Sequence, residues 1–475
     1  MADNAFTPAL AARTDPVLKA RFSLMMFLQY FVQGSYLPVV TLFVQQKLAF
    51  SSVEMGWFNA ALAVGPLLAP FIVGQMVDRH FATERVLAWS HLLGGGLMLA
   101  MYALAQVWES ALFWPLVGLA ALYSALYVPS MMLTNAMAFH HLRDREAEFP
   151  LIRLWGTIGF IVPAWLVEMV FLRGLEGDAL NDRRGVILLV AGVAGLVMAA
   201  YCHSLPHTPP ARNRQDIAPG RVLGLLGRRD FLVLVLVSLL VALAHAYFFL
   251  WNSPFLRAAL DRAEIPGAWE QRISSIGQIF EIAVMAGLGF AIKRFGFKIT
   301  MTVGATAYLL RALIFSWVIA ADLPSGAMLG FIYVGQALHG LCFGCFLAAA
   351  YMYVDRVAPP DARGSMQTFY GTFIVGAGMF LGGFVGGAIG NAFTTDPGQP
   401  TVRERLGVDA NAGLVQFTQT REGRAEDKIR DWPGIWLSSA AISAVALAAF
   451  ALCFPKPRTD QDIGEPVTGN DAAGG

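Results

Sequence analysis

Twelve apolar runs, each long enough to cross a lipid bilayer, constrain this chain more than any other feature. They fall at about 21–45, 53–77, 86–107, 112–139, 149–172, 185–203, 231–256, 273–292, 299–320, 325–353, 365–393 and 433–455. A spanning helix needs about 20 mostly apolar residues. Inside hydrocarbon every backbone N–H and C=O must be satisfied internally, so uninterrupted runs of this length predict helices. The polar segment 204–230, rich in Pro and Arg, divides the runs into two equal blocks. The expected fold is therefore an all-α membrane protein of twelve transmembrane helices. Its expected parts are a six-helix bundle over 1–205, a cytoplasmic linker at 206–230, and a second six-helix bundle over 231–458. A solvated external loop at 394–432, partly helical at 419–431, and a disordered tail at 459–475 complete it. Composition agrees: 56% of residues are hydrophobic and only 14% charged, against about 25% charged in soluble domains.

Charge placement predicts orientation. Lys and Arg collect in the segments that face inward if the N-terminus is inside, such as Arg143, Arg145, Arg212, Arg214, Arg228, Arg229, Lys293, Arg294 and Lys298. The short opposite loops hold few, among them Lys47, Arg173, Arg183, Arg184, Arg257, Arg262 and Arg272. By the positive-inside rule both termini are expected in the cytoplasm. A net charge of +1 gives no reason to expect a nucleic-acid partner. No removable signal peptide is expected, because no basic start leads into a short apolar stretch. Cys342 and Cys345 form a C-x-x-C inside the apolar run LCFGCFL, which reads as helix packing rather than redox or metal chemistry. No G-x-x-x-x-G-K-[ST] loop suggests an ATP-driven pump. No H-E-x-x-H, catalytic carboxylate pair or serine–histidine arrangement suggests an enzyme. No cofactor or metal is expected; a monomer in the bilayer is.

The two blocks echo each other. GQMVDRHFATERV at 74–86 and GFAIKRFGFKITM at 289–301 are short basic turns at equivalent places, as expected of an internally duplicated transporter. In the eleventh run Gly378, Gly382, Gly386 and Gly390 recur every four residues, with Gly383 and Gly387 beside them. Small-xxx-small spacing predicts close helix packing on more than one side.

Ionisable groups within the runs are few, and each is costly enough in a membrane to suggest a function. Arg153 stands in FPLIRLWGTIGF at 149–160. Thr157 lies four residues on and Phe160 three further, so the three share a face. A fork of donors, a hydroxyl and an aromatic ring suit a polar, planar ligand; a structural arginine is the other reading. Gln278 and Glu281, three apart in the eighth run, form a second polar face, with Glu281 as proton-coupling candidate or as the fixed partner of Arg153 or Arg311. His245 in the seventh run shares a face with Asn252. His339 stands near Phe343 in the tenth. Arg311 in the ninth reads as structural, paired across helices. Gln29, Gln33 and Asn135 are further candidates to line a cavity. Glu168, near the end of the fifth run, is expected to reach the headgroups.

FPLIRLWGTIGF, QIFE, LLRALIF and HGLCFGCF, in order in runs five, eight, nine and ten, resemble the bacterial nucleoside:proton symporters of the major facilitator superfamily. The likeness runs from LQYFVQGSYLP to WPGIWL. A degenerate G-x-x-x-D-R loop motif with Gly74, Asp78 and Arg79 is similar to that superfamily's, implying a gating role for Asp78 and Arg79. The resemblance implies two pseudo-symmetric six-helix bundles, a central cavity, and proton-driven nucleoside uptake across a bacterial inner membrane. It places Arg153, Thr157, Phe160, Gln278 and Glu281 at the nucleoside. There are departures. The family's seventh-span glutamine and asparagine are absent, the nearest positions reading His245 and Phe248. Its tenth-span tyrosine is His339, its phenylalanine survives as Phe343, and the acid that follows is Gly344. Sugars, oligosaccharides or nucleobases remain alternative cargoes, and a non-transporting receptor is a further reading.

Overall fold

The computed structural model describes residues 14–72, 81–210, 227–358, 363–408, 412–421 and 424–455. Asp78, Arg79 and Gly74 lie outside the described residues, as do most of the 206–230 linker and the whole 459–475 tail. The described chain is mostly helical. It holds ten helical stretches long and apolar enough to cross a membrane.

The difference from the twelve runs has two causes. The second run is divided into Ser52–Leu62 and Val64–Ile72, because Ala63 leaves the helical region (φ −93°, ψ 2°). The eighth and ninth runs form one helical stretch, Glu270–Ala320, whose only internal break is Gly296 (φ 78°, ψ 168°). A positive φ of that kind favours glycine, and it falls between the expected ends of the two runs. The first run is likewise divided, into Pro16–Tyr36 and Val40–Gln46.

Helix starts follow local chemistry. Asp15 accepts from Val17 N ahead of Pro16, Asp144 accepts from Ala147 N, and Asp431 accepts from Gly434 N. Each side chain satisfies an N–H that a helix start otherwise leaves bare. Ser51 and Glu54 form a reciprocal capping box. Three helices contain π-helical turns, at Val167–Phe171, Cys342–Ala348 and Tyr370–Gly376.

The glycine stripe of Ala377–Ala392 packs two neighbours. A Cβ at Gly378 or Gly382 would stand 2.5 or 2.6 Å from Ala242 or Ala246, while one at Gly383 would stand 2.8 Å from the Gly56 carbonyl oxygen. The helix is thus wedged between Arg229–Arg262 and Ser52–Leu62.

The 394–432 segment differs from expectation. In place of a helix at 419–431, β2 (Leu414–Arg421) and β3 (Arg424–Asp431) pair antiparallel, and β1 (Thr394–Thr395) adds to the other edge of β3. Arg430 is buried beneath this hairpin, against Phe417, Trp251 and Trp432. Burial pushes its guanidinium down to about 9.

One apolar core joins the helices before residue 205 to those after 229. It contains Tyr36, Phe43, Phe58, Tyr123, Tyr247, Trp251, Phe255 and Trp436, at the end that carries the hairpin. Toward the opposite end the core divides. Phe22, Met25, Met137 and Met198 form one separate cluster. Phe231, Tyr308, Phe346 and Phe450 form another. The apolar core is thus continuous across the two sets of helices at the hairpin end and divided at the other.

Candidate functional site

Arg153 sits about two turns into the Arg145–Leu166 helix. That helix packs on Pro16–Tyr36 at backbone contact: a Cβ at Gly159 would stand 2.2 Å from the Phe27 carbonyl oxygen. Gly156 makes the adjoining space, since a Cβ there would meet Arg153 Nη1 at 2.7 Å and Tyr30 Cδ2 at 2.8 Å. The guanidinium lies 4.2 Å above the centre of the Tyr30 ring. A cation held on an aromatic face is stabilised by the ring quadrupole while its N–H edge stays free for a ligand. Arg153, Thr157 and Phe160 are all half-buried.

Gln278 and Glu281, on the Glu270–Ala320 helix, are also half-buried. Glu281 makes no ion pair within 4.0 Å among the described residues. Neither Arg153 nor Arg311 holds it in a contact pair. Gln278 Oε1 is buried and has no hydrogen-bond partner.

The third group is a buried cluster. Arg311 Nη1 donates to His339 Nδ1 at 3.1 Å. The Arg311 guanidinium stacks 3.8 Å from the Phe248 ring centre and 5.1 Å from that of Tyr308. His245 Nδ1 and the Tyr308 hydroxyl are 2.8 Å apart. The His339 ring is near-parallel to those of Phe248 and His245, with centroids at 5.2 and 5.5 Å. Phe343 stands beside His245 in a π-helical turn and is half-buried.

A family model described as Nucleoside H+ symporter matches residues 17–459. The chain belongs to that family. Its family is one of transporters, not enzymes. The chain is 32% identical over 377 residues to YegT of Escherichia coli (strain K12), provisionally named a nucleoside transporter; the match covers 78% of this chain and 84% of YegT. It is 24% identical over 389 residues to the xanthosine permease of the same organism, covering 79% of this chain and 88% of that protein. The crystal structure of nucleoside transporter NupG superposes with a TM-score of 0.74 at 21% identity, covering 93% of this chain and 100% of that one. That likeness shows the fold, the major facilitator fold of a multi-pass membrane protein.

Other expected lining residues are placed differently. Gln29 does not line a cavity. It is fully buried among the first-block helices, where its Nε2 donates to Ser130 and its Oε1 meets His91 Nε2 at 2.8 Å. Gln33 is half-buried. Asn135 Oδ1 is buried without a partner. Asn252 donates to Ser274 and accepts from Gln336, both at 2.7 Å.

Glu168 does not reach the headgroups. It is 2% exposed and accepts from Gln271 N at 2.6 Å, Arg272 N at 3.2 Å and Arg272 Nε at 2.8 Å. Beside it, Arg184 pairs with Glu270 at 2.9 Å, and Arg257 pairs with Glu270 at 3.1 Å. Trp165 Nε1 donates to Ser275 Oγ, Gln271 Nε2 to the Ser35 carbonyl, and Thr41 and Ser253 share a hydrogen bond. Among the described residues, the hydrogen bonds that tie the two sets of helices together all lie at the hairpin end. Sequence reasoning missed this network and also Tyr30 and Tyr308. Charges at helix ends read as solvated, and nothing local tells Glu270 that Arg184 stands opposite. For Tyr30 a signal existed: an aromatic residue one turn before Gly34, in the first-run motif LQYFVQGSY.

Proposed function

We propose that this protein imports nucleosides across a bacterial inner membrane by proton symport, through twelve spans with both termini cytoplasmic. Residues 1–205 and 231–458 rock about a central site, as a monomer in the bilayer. The observation that carries the reading is the pairing of two half-buried polar faces on opposite halves. Arg153, Thr157 and Phe160 stand on one; Gln278 and Glu281 stand on the other, on a helix that Trp165 Nε1 joins to the first through Ser275. A carboxylate suits the vicinal hydroxyls of ribose, and an arginine fork with a ring suits a base. Because Glu281 is not locked in a contact ion pair, it is free to exchange a proton with the cavity. It takes a proton from the outer side; nucleoside then binds, the halves rock, and proton loss to the cytoplasm releases cargo. The sealed hairpin end is the outer face, so the conformation described here is inward-facing.

The test is uptake of labelled uridine and adenosine into proteoliposomes with and without an inward proton gradient. Wild type is expected to accumulate nucleoside only with the gradient. Arg153→Ala is expected to lose uptake, and Glu281→Gln to lose gradient-driven accumulation. Full accumulation by Glu281→Gln overturns the coupling role. No nucleoside uptake by folded wild type, with sugar uptake in its place, overturns the cargo.

A further inference from the structure

The cations of the short loops at the hairpin end divide into two sets. Arg184 and Arg257 pair with Glu270, Arg272 pairs with Glu168, and Arg262 donates to the carbonyls of Ile319 and Ala321. Lys47, Arg173 and Arg183 take part in none of these ties, and all three line one cavity of about 540 Å³. That volume falls within the roughly 300–1,000 Å³ of small-ligand sites. Three separate segments supply the charges. Lys47 follows the Val40–Gln46 helix, Arg173 stands two residues beyond the π-helical turn Val167–Phe171, and Arg183 ends the helix Gly177–Arg183.

Arg173 and Arg183 are exposed, and neither guanidinium has a hydrogen bond or an ion pair among the described residues. Asp182 is the acid in the lining, and it pairs with Lys47 at 3.0 Å. Its side chain is 74% exposed, and an exposed pair of that kind contributes little, so Lys47 is able to turn to a stronger partner. Three cations against one acid in a concave wall concentrate anions there. The arrangement also selects among anions. Arginine forks bind phosphate oxygens in pairs, and a lysine adds a point charge. A tetrahedral phosphate offers oxygens in enough directions to meet cations from three segments at once. Tyr102 and Phe171 give the same cavity a partly apolar wall, suited to the carbon side of an ester. All these residues lie at the ends of spanning runs, the depth of lipid headgroups.

We propose that this cavity is a phosphate-binding site in which Arg173, Arg183 and Lys47 hold the phosphate oxygens. The phosphate has two sources, the headgroup of an anionic lipid in the adjoining leaflet and a free phosphate in the surrounding water, and the experiment separates them. The site is independent of the polar faces around Arg153 and Glu281 and does not rest on which cargo the protein carries.

The experiment measures binding to the full chain in neutral detergent at fixed ionic strength, with two probes. Fluorescent phosphatidylglycerol is followed by titration, and radiolabelled inorganic phosphate by equilibrium dialysis. Wild type is expected to bind at least one of them saturably. Arg173→Gln/Arg183→Gln, at two exposed positions, is expected to weaken that binding tenfold or more without lowering the unfolding temperature. Arg173→Gln alone gives the same reading should the double variant unfold early. Lys293→Gln/Arg294→Gln, in the basic turn between the eighth and ninth runs, is expected to leave binding unchanged. Lipid binding that excess phosphate does not displace assigns the site to a headgroup. Displacement of the lipid by phosphate, or binding of phosphate alone, assigns it to a free phosphate. No saturable binding of either probe by folded wild type overturns the proposal. Binding that the Arg173 and Arg183 variants leave intact overturns it too, as does an equal loss in the Lys293/Arg294 variant, which marks general charge attraction.

Discussion

Replacing Arg184 with glutamine isolates one tie of the seal at the hairpin end. Arg184 is 3% exposed and Glu270 is fully buried. Two bonds join them across the halves, Nη2 to Oε1 at 2.9 Å and Nη1 to Oε2 at 3.4 Å. Arg257, on the same half as Glu270, keeps its own contact at 3.1 Å after the change. No carboxylate is left orphaned, so the roughly 3–5 kcal/mol for stranding a buried charge does not apply. What is lost is a charge-assisted bond, worth about 1.5–3 kcal/mol net. At about 2 kcal/mol, and about 1.4 kcal/mol per factor of ten, the balance is expected to shift roughly 30-fold toward an open hairpin end. The reporter is Ser253→Cys, a position 0% exposed beneath Thr41, in a Cys453→Ser background, since Cys453 is the exposed native cysteine. An impermeant maleimide added from outside is expected to label the Arg184→Gln protein about 30 times faster. An unchanged rate in folded protein would refute the seal and the inward-facing assignment together.

Tyr30→Leu removes the ring under Arg153, while Tyr30→Phe keeps it. The first is expected to raise the KM for nucleoside about tenfold and the second to change it little, read by initial uptake rates. Gly159→Leu drives a side chain into the Phe27 backbone. It is expected to cost at least about 1–3 kcal/mol by overpacking, seen as a lowered Tm in detergent by tryptophan fluorescence.

Much of the fold was legible because membrane spans obey a local rule. Each helix satisfies its own backbone, so run length announces it, and i, i+4 spacing announces its face. That is why Arg153 with Thr157, and Gln278 with Glu281, could be named as surfaces from the residues alone. The glycine stripe of the eleventh run was readable for the same reason, since spacing on one helix determines which neighbours can approach. The hairpin was less readable. LVQFTQTR has the β-branched and alternating character of a strand, but its stability comes from pairing with Arg424–Asp431 and from Arg430 anchored beneath it.

Chain order and hydropathy by themselves determined the membrane class, because the length and apolarity of a span are set within one helix. Tertiary structure alone decided which charges meet. Arg184 and Glu270 are 86 residues apart and Glu168 and Arg272 are 104 apart, and both pairs are buried only because two helix ends face each other. It also took Gln29 out of the cavity, since its amide is spent on Ser130 and His91, partners that its own sequence context does not announce.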